Sequence, residues 1–150
     1  MGTHSGTCYC GAVKVRVEGE PVVAGYCHCN SCRKWHSAPM NAWAAWRADD
    51  VKIDGNTVQS TFNSESQRIA CAKCGGNVAN GKPTKGLMVV YPMTLVESDL
   101  SFEPTFHIFH KERVMDFADG LPKFVDAPKE AGFSGVLDDE PAQTGWRASV

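Results

Sequence analysis

Cysteine is the residue type with the most telling chemistry in this chain of 150 residues. Its seven cysteines form three tight clusters, with one or two residues between neighbouring thiols. The clusters are Cys8-x-Cys10, Cys27-x-Cys29-x-x-Cys32 and Cys71-x-x-Cys74. Thiolates with this spacing can reach one metal ion, and tetrahedral zinc takes four such ligands. Seven thiolates therefore fill one closed site and leave three ligands for a second site with an open position.

The simplest partition of the cysteines keeps the triplet on a single ion. Cys27, Cys29 and Cys32 then hold a reactive zinc whose fourth position is open to a ligand from outside the protein. The two remaining pairs close a four-sulfur structural zinc site, made by Cys8, Cys10, Cys71 and Cys74. Joining these pairs closes a loop of about sixty residues and so staples the fold. The sequence thus predicts two zinc ions with different roles.

A disulfide framework is the rival explanation for so many cysteines. Such frameworks are typical of secreted proteins with an even number of cysteines and a signal peptide. The count here is odd, and no basic flank followed by an apolar run opens the sequence. Cysteines one residue apart are also poor disulfide partners, because the bond requires particular Cα and Cβ separations. Metal binding in a reducing cytoplasm is therefore the expectation.

Length and composition predict one compact domain with a hydrophobic core, since 43% of the residues are hydrophobic. The formal charge of −2 is not the positive charge that is typical of a nucleic-acid-binding domain. No apolar run approaches the roughly 20 residues that a membrane-spanning helix needs. Neither nucleic acid nor a membrane is an expected partner, and no oligomeric state is predicted.

The hydrophobic pattern predicts many short strands. Residues 13–17 alternate apolar and polar side chains, which is the pattern of a half-buried strand. Short apolar runs bounded by turn residues predict further strands at residues 22–26, 40–46, 57–62, 87–91 and 105–109, while residues 67–70 lead into the Cys71 knuckle. Residues 112–117 fit either a strand or one helical turn, and no long amphipathic helix is visible. The predicted fold class is therefore mainly all-β.

The composition changes near residue 127, where glycine, proline and acidic residues become frequent. We therefore predict a zinc-binding domain at residues 1–126, followed by a loosely packed C-terminal extension at residues 127–150. Phe133 and Trp146 argue against complete disorder of this extension.

The open position of the triplet site raises the question of a fourth ligand. His28 lies between Cys27 and Cys29, so its side chain is expected to point away from the ion. Arg33 and Lys34 can offset the negative charge of a thiolate-rich site or receive a ligand carboxylate, and a solvated basic pair is the alternative. Three other histidines are candidate fourth ligands, neighbours of the open position, or ordinary hydrogen-bonding side chains: His36, His107 and His110.

Three cysteine-containing stretches carry a family resemblance: residues 6–11 (Gly-Thr-Cys-Tyr-Cys-Gly), 27–34 (Cys-His-Cys-Asn-Ser-Cys-Arg-Lys) and 71–75 (Cys-Ala-Lys-Cys-Gly). Together with residues 106–109, Arg113 and residues 121–124, they resemble the glutathione-dependent formaldehyde-activating enzyme family, which also includes centromere protein V. The resemblance spans residues 3–126. It implies short antiparallel sheets in a tent-like arrangement around a zinc site. It also implies the same division into a four-cysteine structural zinc and a labile three-cysteine zinc.

The resemblance also implies an activity, the joining of formaldehyde to the thiol of glutathione to give S-(hydroxymethyl)glutathione. This reversible reaction is of the carbon–sulfur lyase type. A family does not fix the substrate, because folds and metal sites are reused. The prediction is therefore a zinc-dependent carbon–sulfur lyase or synthase, acting on glutathione or another low-molecular-weight thiol and a small aldehyde. Thiol activation and proximity supply the catalysis, and no catalytic acid or base is predicted.

Two non-catalytic alternatives stand beside this enzyme. In the first, both zinc ions are structural and the protein is a zinc-stabilised module that binds other proteins. In the second, the protein carries a thiol adduct or a metal ion without turnover. The three-ligand site argues against the first alternative, unless a histidine completes that site.

Overall fold

The structure, a computed structural model, describes residues 2–141 and 144–147, except for the side chain of Asn63. The described residues form twelve β-strands, one α-helix and five short 3-10 helices. The predicted mainly-β fold class is confirmed. The strands are β1 Thr3–Thr7, β2 Lys14–Glu18, β3 Val23–Cys27, β4 Asn41–Arg47, β5 Val51–Asp54, β6 Thr57–Asn63, β7 Ser66–Cys71, β8 Asn77–Lys82, β9 Leu87–Val90, β10 His107–Ile108, β11 Met115–Asp116 and β12 Gly145–Trp146.

The helical segments are short and lie between the strands. Helix α1 spans Asn30–His36. The 3-10 helices are Ala48–Asp50, Pro83–Lys85, Pro92–Leu95, His110–Glu112 and Lys129–Ala131. No helix among the described residues is long and apolar enough to cross a membrane.

The chain divides into two compact units. The first contains the described residues of Met1–Val23 and Trp43–Phe102, and the second those of Ala24–Ala42 and Glu103–Val150. The cysteine pairs at residues 8–10 and 71–74 belong to the first unit, and the triplet at residues 27–32 belongs to the second. Each predicted zinc site therefore lies within a single unit.

The first unit is built from antiparallel sheets. Strands β1, β2 and β5 form one sheet, in the order β1-β2-β5. In β2, Val15 and Val17 are buried while Lys14, Arg16 and Glu18 face solvent, as expected for an alternating strand. Strands β4, β9, β8, β7 and β6 pair antiparallel in that order. The last residue of β7 is Cys71, so this sheet delivers one ligand pair to its position.

The core of the first unit packs aliphatic and aromatic side chains from several strands. Ala45, Val89 and Tyr91 form a buried cluster against which Trp43 and Leu87 pack. Trp46 is also buried, and its indole N–H donates to the Gly19 carbonyl oxygen at 2.9 Å. The polar edge of this large side chain is thereby satisfied inside the core.

Glycine is required where β1 passes the 3-10 helix Pro92–Leu95. A Cβ atom placed on Gly6 would lie 1.7 Å from the Thr94 carbonyl oxygen. The close approach of two backbones excludes every other residue at this position. This close approach holds β1, which leads into Cys8, against the 3-10 helix Pro92–Leu95.

The second unit surrounds a short parallel strand pair. Strand β10 runs parallel to β3, with His107 opposite Tyr26 and Ile108 opposite Cys27. A Cβ atom on Gly25 would lie 2.7 Å from the Phe106 carbonyl oxygen, so the two segments approach closely because this residue is glycine. The pairing places the residues around His107 beside the end of β3, where the cysteine triplet begins.

Residues beyond 126 contact the rest of the second unit at several points. The Val125 N–H donates to the Val136 carbonyl oxygen at 2.8 Å. Strand β12 pairs antiparallel with β11, and the Phe133 ring meets the Phe109 ring edge to face at 5.6 Å. The predicted domain boundary between residues 126 and 127 stays a prediction.

Every predicted strand overlaps an observed one. The segment 112–117 contains the end of the 3-10 helix His110–Glu112 and then strand β11. Strands β1, β5, β7, β8 and β12 and helix α1 were not predicted. The residues of β1 and α1 lack the apolar alternation or periodicity that marks a buried face, whereas β5 (Val-Lys-Ile-Asp) has that alternation and was missed.

Candidate metal centres

The four-cysteine cluster gathers two cysteine pairs that are distant in the chain. Cys8 follows β1 and Cys10 lies in the turn that leads to β2, while Cys71 ends β7 and Cys74 lies in the turn before β8. The four sulfur atoms all lie within 4.8 Å of one another. The sequence-predicted ligands of the structural site are thus brought together.

The sulfur–sulfur distances fit a tetrahedral zinc site. Cys10 Sγ lies 3.7 Å from Cys8 Sγ and 3.8 Å from Cys71 Sγ. A tetrahedron with zinc–sulfur bonds of about 2.3 Å has sulfur–sulfur edges of about 3.8 Å. The cluster therefore has both the donor atoms and the dimensions that zinc requires.

Backbone amides support the sulfur atoms of this cluster. Three N–H groups point at the sulfurs: Val13 to Cys8 at 3.2 Å, Lys73 to Cys71 at 3.4 Å and Gly76 to Cys74 at 3.4 Å. Each turn also contains a glycine with positive φ, Gly11 at 78° and Gly75 at 73°. This left-handed conformation turns the chain tightly enough to aim amides at the sulfurs of a knuckle.

The pKa values of Cys8 and Cys10 in this cluster are shifted in opposite directions. Burial alone would raise the pKa of Cys8, but hydrogen bonds from the Val13 amide and from Cys71 lower it to about 6. The Ala12 amide alone would lower the pKa of Cys10, but partial desolvation and the neighbouring thiols raise it to about 11. Four thiolates this close repel one another, and a divalent cation removes that repulsion.

The three-cysteine cluster is assembled from one short stretch of chain. Cys27 ends β3, Cys29 is the N-cap residue of α1, and Cys32 lies in the first turn of that helix. The Cys29 sulfur accepts a hydrogen bond from the Cys32 N–H at 3.3 Å, in the place where an N-cap oxygen usually acts. The three sulfur atoms lie within 4.8 Å of one another. The predicted ligands of the reactive site are thus also brought together.

No histidine joins this triplet among the residues that the structure describes. The group of mutually close ligand atoms contains only the three sulfurs. The candidate fourth ligands His28, His36, His107 and His110 lie outside it. The described part of the chain therefore offers three ligands for an ion that prefers four.

Two of the triplet thiols, Cys27 and Cys29, have raised pKa values and so disfavour ionisation. Hydrogen bonding to Cys29 and Cys32, together with burial, raises the pKa of Cys27 well above its ordinary value. The bond to Cys27 alone would lower the pKa of Cys29, but Cys32 and burial raise it. A second and a third thiolate are costly beside the first, so this site also suits a positive ion.

Histidines form a buried chain beside the triplet. His28, His107 and His110 all have 0% exposure. The Nε2 atom of His28 lies 2.8 Å from the Nδ1 atom of His107, and the Nε2 atom of His107 lies 2.7 Å from an Asp119 carboxylate oxygen. Two histidine rings and one carboxylate thus form a hydrogen-bonded series. Its first member, His28, lies between Cys27 and Cys29 in the sequence.

Comparison with known proteins establishes the family of this chain. The model of the glutathione-dependent formaldehyde-activating enzyme family matches residues 3–112. The chain belongs to that family. The match includes all seven cysteines and both His28 and His107, whereas Asp119 lies beyond its end.

One curated relative and one solved structure add detail. An uncharacterized lyase of Schizosaccharomyces pombe is 30% identical over 86 residues, which make up 55% of this chain and 63% of that protein. The chain thus spans less than two thirds of the length of this curated relative. A crystal structure of a Rhodobacter sphaeroides protein matches with a TM-score of 0.52 and 24% identity, over 62% of this chain and 88% of the other. This second likeness is one of fold.

A second histidine–carboxylate pair joins His110, inside the family-matched region, to Asp138, beyond the end of that region. His110 Nδ1 lies 2.8 Å from an Asp138 carboxylate oxygen, and Arg113 donates to the same oxygen at 2.9 Å. The Arg113 guanidinium also donates to Glu140 at 2.5 Å and to the Asp116 carboxylate. The two partner acids Asp138 and Glu140 belong to the predicted C-terminal extension, and the sequence contains no spacing that links them to His110 or Arg113.

The basic pair next to the triplet has two different environments. The Arg33 Nε atom donates to the His28 carbonyl oxygen at 3.0 Å, so this guanidinium holds the backbone of the ligand segment. Lys34 is exposed. Glu112 accepts a hydrogen bond from the Asn30 N–H at 2.7 Å, at the start of α1. Arg33 thus has a structural role, and its role as a counter-charge stays a prediction.

Proposed function

We propose that this protein is a zinc-dependent enzyme that joins a low-molecular-weight thiol to a small aldehyde, and that cleaves the product in the reverse direction. The observation that carries the proposal is the contrast between a closed four-sulfur cluster and a three-sulfur cluster in one chain. Closed sites are typically structural, and sites with three protein ligands are typical of catalysis. The family to which the chain belongs, and the lyase name of its relative, support the same reaction type.

The residues fit two zinc ions. Cys8, Cys10, Cys71 and Cys74 would hold the structural ion, and Cys27, Cys29 and Cys32 the reactive one. An ion held by this triplet would offer a free coordination position and would favour the thiolate form of a small thiol near neutral pH. All seven cysteines are free thiols, which supports metal binding and a cytoplasmic location as parts of this proposal.

The reaction balances without a redox partner. The thiol loses its proton, a bond forms between its sulfur and the aldehyde carbon, and the carbonyl oxygen takes up a proton. In the reverse direction the hydroxyl group loses its proton, the carbon–sulfur bond breaks, and the sulfur takes up a proton, so that the thiol and the aldehyde are released. The chain contributes by holding the three sulfurs of the triplet in place and by bringing the two reactants together. Glutathione and formaldehyde are the first pair to examine, since the family is described by them.

A rate assay with the zinc-loaded full-length chain tests this proposal. The formation of S-(hydroxymethyl)glutathione is followed by NMR exchange spectroscopy, and the catalysed rate is compared with the uncatalysed rate at the same concentrations. Other low-molecular-weight thiols and small aldehydes are run in parallel. We expect an increase of at least about tenfold for one pair, a modest part of what enzymes achieve. Uncatalysed rates for every pair would instead support the zinc-stabilised protein-binding module.

A further inference from the structure

The residue between the first two triplet cysteines is held at its backbone and at its side chain. The His28 N–H donates to the Ile108 carbonyl oxygen at 3.0 Å, and its own carbonyl accepts from Arg33 Nε at 3.0 Å. Its ring Nε2 meets His107 Nδ1 at 2.8 Å. A residue fixed at three points transmits its position to the residues on both sides, which here are Cys27 and Cys29.

We infer that His107 and Asp119 are positioning residues for the three-cysteine cluster: through the ring of His28 they set the placement of the Cys27 and Cys29 sulfurs. The inference rests on the proposed function only in that the cluster holds a metal ion. Neither residue is a ligand, because neither belongs to the group of close ligand atoms.

The direction of the hydrogen bonds in this series follows from the chemistry of its last member. An ionised carboxylate only accepts hydrogen bonds, so His107 Nε2 must donate to Asp119. A neutral His107 then presents a bare Nδ1, which accepts from the Nε2–H of His28. Burial lowers the pKa of His107 although Asp119 opposes this, which is consistent with a neutral ring. The series therefore fixes the tautomer and the orientation of both imidazoles.

Asp119 is itself anchored, so it can serve as the fixed end of the series. Its Oδ1 atom accepts from Lys123 Nζ at 2.8 Å and from the Leu121 N–H at 3.1 Å, which leaves Oδ2 for His107. Burial alone would raise the pKa of Asp119, but hydrogen bonds from Lys123 and His107 lower it to about 2. The carboxylate thus stays ionised and keeps its role as acceptor.

The series resembles the way in which metal sites fix their ligands, with one difference. A histidine ligand is usually oriented by a carboxylate that accepts from its second ring nitrogen. Here the oriented residue lies between two ligands in the chain and acts through the backbone. Because His28 and His107 are fully buried, removing the acceptor leaves a buried N–H without a partner, and the rings must move to recover one.

The second histidine–carboxylate pair provides a matched control. His110 is as buried as His107, lies in the same unit and bonds to Asp138 at nearly the same distance. Its hydrogen bonds lead to Asp138 and not into the segment between Cys27 and Cys29. The His110 ring meets the His28 ring edge to face, with centroids 5.1 Å apart, but no hydrogen bond joins the two rings. Asp119→Ala and Asp138→Ala therefore both remove a carboxylate acceptor, but only the first breaks the hydrogen-bonded series that includes His28.

The test uses cobalt(II) as the probe of the triplet in the full-length protein, with zinc in the four-cysteine site. Cobalt affinity is measured by competition with a chelator, and the geometry of the site by its visible d–d absorption. Asp119→Ala is expected to weaken cobalt binding at the triplet about tenfold and to change the d–d spectrum. Asp138→Ala is expected to keep the wild-type spectrum and affinity. Asp119→Asn retains an acceptor oxygen and is expected to restore most of the affinity.

Several results would overturn the inference. Wild-type affinity and spectrum in Asp119→Ala would do so, and so would equal weakening in Asp119→Ala and Asp138→Ala. If Asp119→Ala does not fold, nitrogen-15 NMR of the wild-type histidine rings decides. A proton on His28 Nε2 is expected, and one on His28 Nδ1 in its place contradicts the series. A wild-type triplet that binds cobalt without any turnover would end the proposed function and leave this inference standing.

Discussion

The four-cysteine cluster and the three-cysteine cluster use the same ligand atom but are built in different ways. The first joins Cys10 to Cys71 across 61 positions in the chain. The second takes all its sulfurs from residues 27–32, six consecutive positions. A metal ion that bridges distant segments can form its site only in the folded chain, so its binding energy is folding energy. A metal ion bound by one local segment adds little to the stability of the fold, so its site can be used for catalysis.

The two clusters also differ in what supports them. Backbone N–H groups at knuckle turns stabilise the sulfurs of the first cluster, and these turns are complete in themselves. The triplet depends on a helix start, on Arg33 and on a buried histidine series that ends at Asp119. The contacts that support the first cluster thus come from its own turns, whereas those that support the second also come from residues far along the chain, such as Asp119.

The largest expected effect comes from removing a ligand of the four-cysteine cluster. Cys74→Ser should lower the free energy of unfolding by about 4 kcal/mol, because loss of a structural metal is among the most damaging single changes. The expected fall in melting temperature is about 10 °C for a chain of this size. Thermal unfolding followed by circular dichroism measures both. Lys73→Ala, in the same exposed turn with all four sulfurs kept, serves as control, and a Cys74→Ser melting curve that overlays the wild-type curve would contradict the structural role.

The sequence predicted the ligand sets of both clusters because cysteine spacing is local information. Cys71 and Cys74 must lie close in any fold, and the count of seven forces one closed and one open set. Strand β2 could also be predicted from the sequence, since Val15 and Val17 alternate with charged residues. The structure gathers the sulfurs in the predicted partition, and the zinc ions themselves stay a prediction.

Other elements lacked a local signal. Strand β1, Thr-His-Ser-Gly-Thr, has no alternating apolar residues and exists because it pairs with β2 from Thr3 opposite Glu18 to Thr7 opposite Lys14. Helix α1 buries no residue and begins at a thiol cap, so neither periodicity nor an oxygen cap revealed it. The histidine series joins His28 to His107 across 79 positions through a two-residue parallel strand pair. Such a contact depends on tertiary structure alone.

The next largest effect is expected at the triplet, where fold and activity should separate. Cys32→Ser removes a ligand from the three-cysteine cluster and none from the four-cysteine cluster. Its melting temperature should stay within about 3 °C of wild type, while thiol-dependent turnover falls at least about 100-fold, or about 2.7 kcal/mol. Parallel melting curves and the S-(hydroxymethyl)glutathione assay measure the two quantities. Ser31→Ala keeps all three sulfurs and controls for a change in this turn of the helix. A fully active Cys32→Ser would show that the triplet is not the reactive site.

A smaller difference is expected in metal affinity. The triplet should release zinc to a chelator at least about tenfold more readily than the four-cysteine cluster, a difference of about 1.4 kcal/mol. The cause is the missing fourth protein ligand and the absence of coupling to the global fold. Stepwise chelation with zinc quantification and near-ultraviolet circular dichroism should show one equivalent leaving while the fold persists. Release of both ions in one step, together with unfolding, would remove the distinction between the clusters.

The smallest expected effect concerns pH and the buried histidines of the second unit. Burial lowers the pKa of His110 although Asp138 opposes this, so the folded protein keeps a neutral ring that the unfolded chain protonates below about 6.5. Below that pH the unfolded state binds more protons, and stability falls as the pH falls. Between pH 7 and pH 5.5, wild type should lose more stability than His110→Gln. Both proteins contain the same cysteines, so any acid-driven loss of metal affects them equally and cancels in the difference. Urea unfolding at the two pH values measures it. Parallel losses would mean that His110 does not make the second unit more sensitive to acid.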